Sequence, residues 1–202
     1  MNICMRYCNQ IIFLYQTMDK TKSYIIWWIP RSGKSQLCSR MHKELGYSWI
    51  ECDAIITALQ DRYKTLGISH DIDWKLWSKR FTKLANHYLE ELLRTNENKV
   101  VLDSHYMHPK YINDKVKSSY NILFIWYPSI SVEEKVKAIQ VYDAVHHGWT
   151  EDFPEKLTDR VASRIQESKD LQTLCEQYNF PFYDVSHDYE NNLNKIYDTI
   201  TK

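Results

Sequence analysis

The sequence predicts an α/β fold, a doubly wound and largely parallel sheet flanked by helices. Three observations predict it. Five short runs suited to strands (Tyr24–Ile29, Ser48–Cys52, Lys99–Asp103, Asn121–Trp126 and Phe180–Val185) alternate with segments of helical periodicity. The first run leads into Pro30-Arg31-Ser32-Gly33-Lys34-Ser35, and then Leu37, Cys38, Met41 and Leu45 recur at helical spacing. Polar residues gather just beyond four of the runs, at the strand ends where open parallel sheets bind ligands.

Taken in order, residues 1–21 show no clear periodicity and are expected to be a poorly ordered extension, with 22–202 as one domain. The first strand, loop and helix have the order of a phosphate-binding loop. The loop Pro30–Gln36, through its backbone N–H groups from Arg31 on, and the helix dipole favour an anion there. Lys34 supplies a point charge to the β/γ-phosphates, and the Ser35 hydroxyl a ligand for Mg²⁺. One position departs from G-x-x-x-x-G-K-[ST]: Trp28 stands where the first glycine belongs, and an indole is expected to crowd the loop.

Gly46 is expected to stop the first helix, and Asp53 comes directly after the second strand. Asp53 reads either as the N-cap of a helix over 54–66 or as a carboxylate at the ligand edge. A long amphipathic helix is predicted over 71–94, with Trp74, Trp77, Phe81, Leu84, Tyr88 and Leu92 on its apolar face. The third strand ends in Val-Leu-Asp (101–103), a Walker B pattern in which Asp103 approaches Mg²⁺ or else caps the next segment. His105-x-x-His108 lacks a third ligand, so His105 is assigned to the acceptor side and not to zinc.

Ser131 and Glu134 form a capping box after the fourth strand, with Glu134, Lys135 and Lys137 expected on the solvated face of that helix. Residues 143–152, including His146 and His147, are expected to be a loop of lid length, and 143–168 the lid as a whole. The helix after Pro154 carries Arg160 and Arg164 on one face. That pair suits a fork on transferring phosphates, or a surface helix salt-bridged through Asp159 and Glu167. Asp184, Ser186 and His187 close the ligand edge before the last helix.

Composition narrows the function. Lys+Arg and Asp+Glu are 26 each, so the chain is neutral and has no basic block, which disfavours a dedicated nucleic-acid or membrane-surface binder. No apolar run of 18 residues is present to span a membrane. Five scattered cysteines fit reduced thiols in the cytoplasm.

Ile29–Ser35, Asp53, Val101–His105, Tyr127–Lys135, Gly148–Thr150 and Pro181–Ser186 together resemble the P-loop small-molecule and nucleotide kinases of the adenylate-kinase-like group. The resemblance spans about Lys22–Lys202 and is closest to bacterial P-loop kinases of the AAA-family type. It implies a P-loop NTPase sheet of order 2-3-1-4-5, ATP with Mg²⁺, and Lys34, Ser35 and Asp103 at the phosphates and metal. It places Asp53 on the acceptor side, the helix of Arg160 and Arg164 over the phosphates, and the turn after the fifth strand near the adenine. Such proteins commonly carry glycine where this chain has Trp27, Trp28 and Trp126. The chain has four glycines and seven tryptophans. One cause would cover both facts: UGA codons read as glycine in the source and translated here as tryptophan. The codons at the three positions test this, and UGG would refute it.

The expected function is therefore γ-phosphoryl transfer from ATP to a small-molecule or nucleotide acceptor in a cytoplasmic monomer or homodimer. The alternative is an ATP-binding sensor or degenerate site without kinase activity, which Trp28 favours.

Overall fold

The computed structural model describes residues 18–19, 21–95, 99–145, 148–152 and 154–201, with the side chains of Lys34 and Trp74 outside the description. Most of the expected extension therefore lies outside the described residues, as do His146 and His147. Five parallel strands, β1 (Tyr24–Trp28), β2 (Ser48–Glu51), β3 (Val100–Ser104), β4 (Asn121–Trp126) and β5 (Phe182–Asp184), form one sheet in the order β2-β3-β1-β4-β5. The sheet order is the expected one.

Strand alternation divides the core between the two sheet faces. Ile25 and Trp27 face a cluster with Ile56, Trp77, Phe81, Ile139, Leu157, Val161 and Ile165. Those residues come from α2 (Cys52–Arg62), α3 (Trp74–Arg94), α5 (Val132–Asp143) and α7 (Leu157–Tyr178). Tyr24, Ile26 and Trp28 face the other way, against Leu37, Cys38 and Met41 of α1 (Lys34–Leu45) and Leu193, Ile196 and Ile200 of α8 (Tyr189–Thr201). The central strand β1 is apolar throughout because helices cover both faces.

Local chemistry sets the ends of the elements. Gly46, in the left-handed region, closes α1 with its N–H on the carbonyls of His42 and Met41. Ser131 and Glu134 make the capping box at the start of α5. The structure moves several expected boundaries. Asp53 is not a cap: α2 begins at Cys52 with Glu51 at its N-cap, so Asp53 sits in the first turn. The long helix begins at Trp74, where the Asp73 carboxylate accepts from the Lys75 N–H. Leu84 and Tyr88 are exposed, because the buried stripe of α3 instead runs through Trp77, Phe81, Ala85 and Leu89. A 3-10 turn at Pro109–Tyr111 and α4 (Asp114–Ser119) fill a stretch where the sequence carries no clear element signal. The expected loop over 143–152 holds the end of α5 and a short helix, α6 (Trp149–Asp152).

Candidate active site

The phosphate loop lies between β1 and α1. Gly33 is the N-cap of α1 at φ 92°, and no side chain caps that helix. Its first turn carries no acidic residue, so the helix N-terminus presents its amides and positive dipole end to an anion. A Cβ at Gly33 would collide with the Tyr189 hydroxyl and the Leu193 side chain, so glycine is required there by backbone and by space. The Ser32 hydroxyl donates to the Ile29 carbonyl at 2.6 Å, and Tyr127 donates to the Pro30 carbonyl at 3.0 Å. Gln36 lines a small cavity of about 250 Å³ between α1 and α8, with Arg40 and Glu190.

Lys135 departs from the sequence expectation. It is buried, not on a solvated face, and its ammonium donates to the Arg31 carbonyl at 2.7 Å and lies 4.0 Å from the centroid of the Tyr127 ring. Burial, and then the Arg31 charge, push its pKa down to about 8.

Trp28 is fully buried under α1 with Leu37, Cys38 and Met41, so its indole packs beneath the loop. Trp27 and Trp126 lie on the opposite face, stacked edge-to-face with centroids 6.0 Å apart. Among the described residues the indole N–H groups of Trp28 and Trp126 are buried without a hydrogen-bond acceptor. Each such group costs about 1–3 kcal/mol.

Asp103 lies near the end of β3, in register with Ile26 of β1 and Glu51 of β2. It is buried, and its Oδ2 accepts from the Trp49 indole at 3.3 Å. Val101, two residues earlier, belongs to the cluster under α1, so Asp103 shares the sheet face of the phosphate loop. Among the described residues no group of three His, Cys, Asp or Glu is placed to hold a metal ion. Mg²⁺ needs no such group, because it binds through one or two protein oxygens plus substrate phosphates. The Ser35 hydroxyl and the Asp103 carboxylate are donors of the right kind.

On the other face, Arg160 and Arg164 of α7 line a cavity of about 340 Å³ with His70, Asp71, Asp73, Trp77 and Tyr106. Neither the phosphate loop nor Asp103 lines it. Glu167 fixes Arg164, accepting from its Nη1 at 2.5 Å. Burial opposes ionisation of Glu167, but His105 and Arg164 together hold its carboxyl well below the usual range. His105 lies 3.5 Å from Glu167 and stacks on Tyr106 at 4.8 Å. It is thus a layer behind the cavity wall, where burial lowers its pKa. The Tyr106 hydroxyl meets His70 Nδ1 at 3.0 Å, and burial with the nearby Asp53 carboxylate raises its pKa. Asp53 therefore reaches the cavity wall through Tyr106.

The sequence does not single out His70, Asp71, Asp73 and Tyr106, since a common residue beside or within a helix or the His105-x-x-His108 spacing carries no readable sign of facing a cavity. Glu167 was visible as a possible ion-pair partner, but its burial was not.

The fold compares with solved kinases. Shikimate kinase from Bacteroides thetaiotaomicron superposes with a TM-score of 0.52 at 14% identity, over 90% of this chain and 99% of that one. The chain has the P-loop kinase fold. A gluconokinase from Sinorhizobium meliloti 1021 aligns at a TM-score of 0.49 and 15% identity, over 91% of this chain and 94% of that one. No protein-family profile matches the sequence, and no curated protein matches it. At 14% identity to the shikimate kinase, the fold alone is what is shared.

Proposed function

We propose that the protein is an ATP-dependent phosphotransferase that moves the γ-phosphoryl group to a small-molecule or nucleotide acceptor. The observation that carries this is the cavity of about 340 Å³ with Arg160 and Arg164 on one wall, in a chain whose α1 begins at an uncapped, left-handed Gly33. Loop amides and Lys34 would bind the phosphates, and Ser35 and Asp103 would hold Mg²⁺. Arg160 and Arg164 would stabilise charge on the transferred group, and Asp53 or Asp103 would orient the acceptor hydroxyl or take its proton. The cavity volume suits a metabolite-sized acceptor. No helix among the described residues is long and apolar enough to cross a membrane. Five cysteines scattered along the sequence without paired spacing suit the cytoplasm.

Calorimetric binding of MgATP to the chain and to a Trp27→Gly/Trp28→Gly variant is the test. Binding by either version supports the nucleotide site, and a metabolite screen for phosphoryl transfer should then use the version that binds. Binding by neither removes the reading. A second reading, a nucleotide-binding protein that transfers nothing, is favoured by Trp28, which stands where the first glycine of the phosphate loop belongs. Binding without transfer to any acceptor would support it.

A further inference from the structure

We propose that Arg31 is a positioning residue, which ties the phosphate loop to the helical segment carrying Arg160 through Asp143 and Trp149. This rests on the phosphotransferase reading for its purpose, but not for its geometry. Arg31 adopts φ 68°, a left-handed backbone that favours glycine, so the loop alone gives no reason for an arginine. Its side chain supplies one. The guanidinium Nη2 lies 3.2 Å from Asp143 Oδ1, and that carboxylate side chain is 1% exposed. Asp143 Oδ2 accepts from both the N–H and the hydroxyl of Thr150, each at 2.9 Å. The buried carboxylate thus joins the loop to the first turn of α6.

The aromatic contacts run the same way. Arg31 Cζ lies 5.4 Å from the Tyr142 ring centroid and 5.7 Å from that of Trp149, and Arg160 Cζ lies 5.3 Å from the same Trp149 ring. One indole therefore contacts a cation from the phosphate loop and a cation from the acceptor cavity. Gly148 leaves the space for this: a Cβ there would collide with Arg31 Nη2 and Asp143 Oδ1. Lys135 holds the other end of Arg31 by its carbonyl. A change in loop shape on phosphate binding is passed to Arg160 through three contacts.

Hydrogen exchange of the amides of 149–160 in the ligand-free protein tests this, in the wild type, Arg31→Gly, Arg31→Lys, Asp143→Asn and Arg31→Gly/Asp143→Asn. Glycine suits the backbone at position 31, so a role confined to the loop predicts no loosening. The clasp predicts exchange at 149–160 faster by about fivefold or more in Arg31→Gly, with 121–126 and 189–201 unchanged. Arg31→Lys should fall between it and the wild type. The double variant should loosen 149–160 no more than Arg31→Gly alone, because the ion pair that Asp143→Asn weakens is already gone. Unchanged exchange at 149–160 in Arg31→Gly, or equal loosening of the whole chain, overturns the proposal. A second arm adds saturating MgATP, which should slow exchange at 149–160 in the wild type and do so less in Arg31→Gly. Equal slowing in both also overturns it. If MgATP does not bind the wild type, the phosphotransferase reading falls while the ligand-free arm still decides the clasp.

Discussion

The loop between β1 and α1 and the cavity beside Arg160 and Arg164 lie on different faces of the sheet and are built differently. The loop is nearly all backbone: one contiguous stretch, Pro30 to Gln36, with Gly33 left-handed and a helix N-terminus behind it. The cavity is assembled from separate segments: residues 70–73 with Trp77, then Tyr106, then Arg160, Ser163 and Arg164. A phosphate is the same in every nucleotide, so a fixed backbone cradle serves. An acceptor is recognised by placed charges, and placing charges takes several segments and ion pairs to hold them. The difference teaches that damage to the loop should abolish binding, whereas damage to the cavity should spare it.

The largest expected effect is on the loop. Gly33→Val forces a β-branched residue into the left-handed region and against Tyr189, and should lower MgATP affinity about 100-fold or more by calorimetry. Near-normal binding would show that the cradle is not where phosphate sits. On the cavity side, Arg160→Met and Arg164→Met should each lower phosphoryl transfer by about 10²–10³-fold. MgATP binding should change far less than in Gly33→Val, and an equal loss would erase the contrast between the two regions.

A smaller effect lies behind the cavity wall. Burial depresses the pKa of His105, so the unfolded chain takes up a proton near pH 6.5 that the folded state refuses, and stability falls as the pH drops below that value. Glu167 acts in the same direction at lower pH. Its folded pKa is depressed, so its contribution is present above about 4.5 and is lost as the pH falls through the folded value. Urea midpoints between pH 7 and pH 5 should decline in the wild type and be flatter in His105→Phe. Parallel profiles would show that His105 does not carry the loss.

The smallest effect is at Lys135 beneath the loop. Its ammonium should titrate near pH 8 by carbon NMR, well below the surface lysines. With the folded pKa below the ordinary 10.5, the folded state gives up the proton first, so this group's contribution to stability rises between pH 8 and 10.5. A value near 10.5 would return Lys135 to the solvated face that the sequence suggested.

Much of the fold was legible in the sequence because its signals are local. Apolar strand runs, the capping box at Ser131 and the stop at Gly46 each act within a few residues, and alternation of strand and helix then yields a parallel sheet. Helix starts were less legible. The Asp53 carboxylate looks like a cap in sequence, but the chain turned into helix two residues before the predicted start. The stripe on α3 differs for a related reason: Leu84 and Tyr88 are apolar at the right spacing, yet each stays 40% exposed.

By itself the sequence determined the five-strand α/β architecture and the phosphate loop, since both are written in contiguous residues with a fixed period or spacing. Only the tertiary structure decided that Lys135 and Glu167 are buried, that His105 stands behind the cavity wall, and that Arg31 meets Asp143. The physical reason is that burial and charge pairing depend on what packs opposite a residue. For Arg31 that partner is 112 positions away in a chain of 202 (143 less 31), a separation no local pattern records.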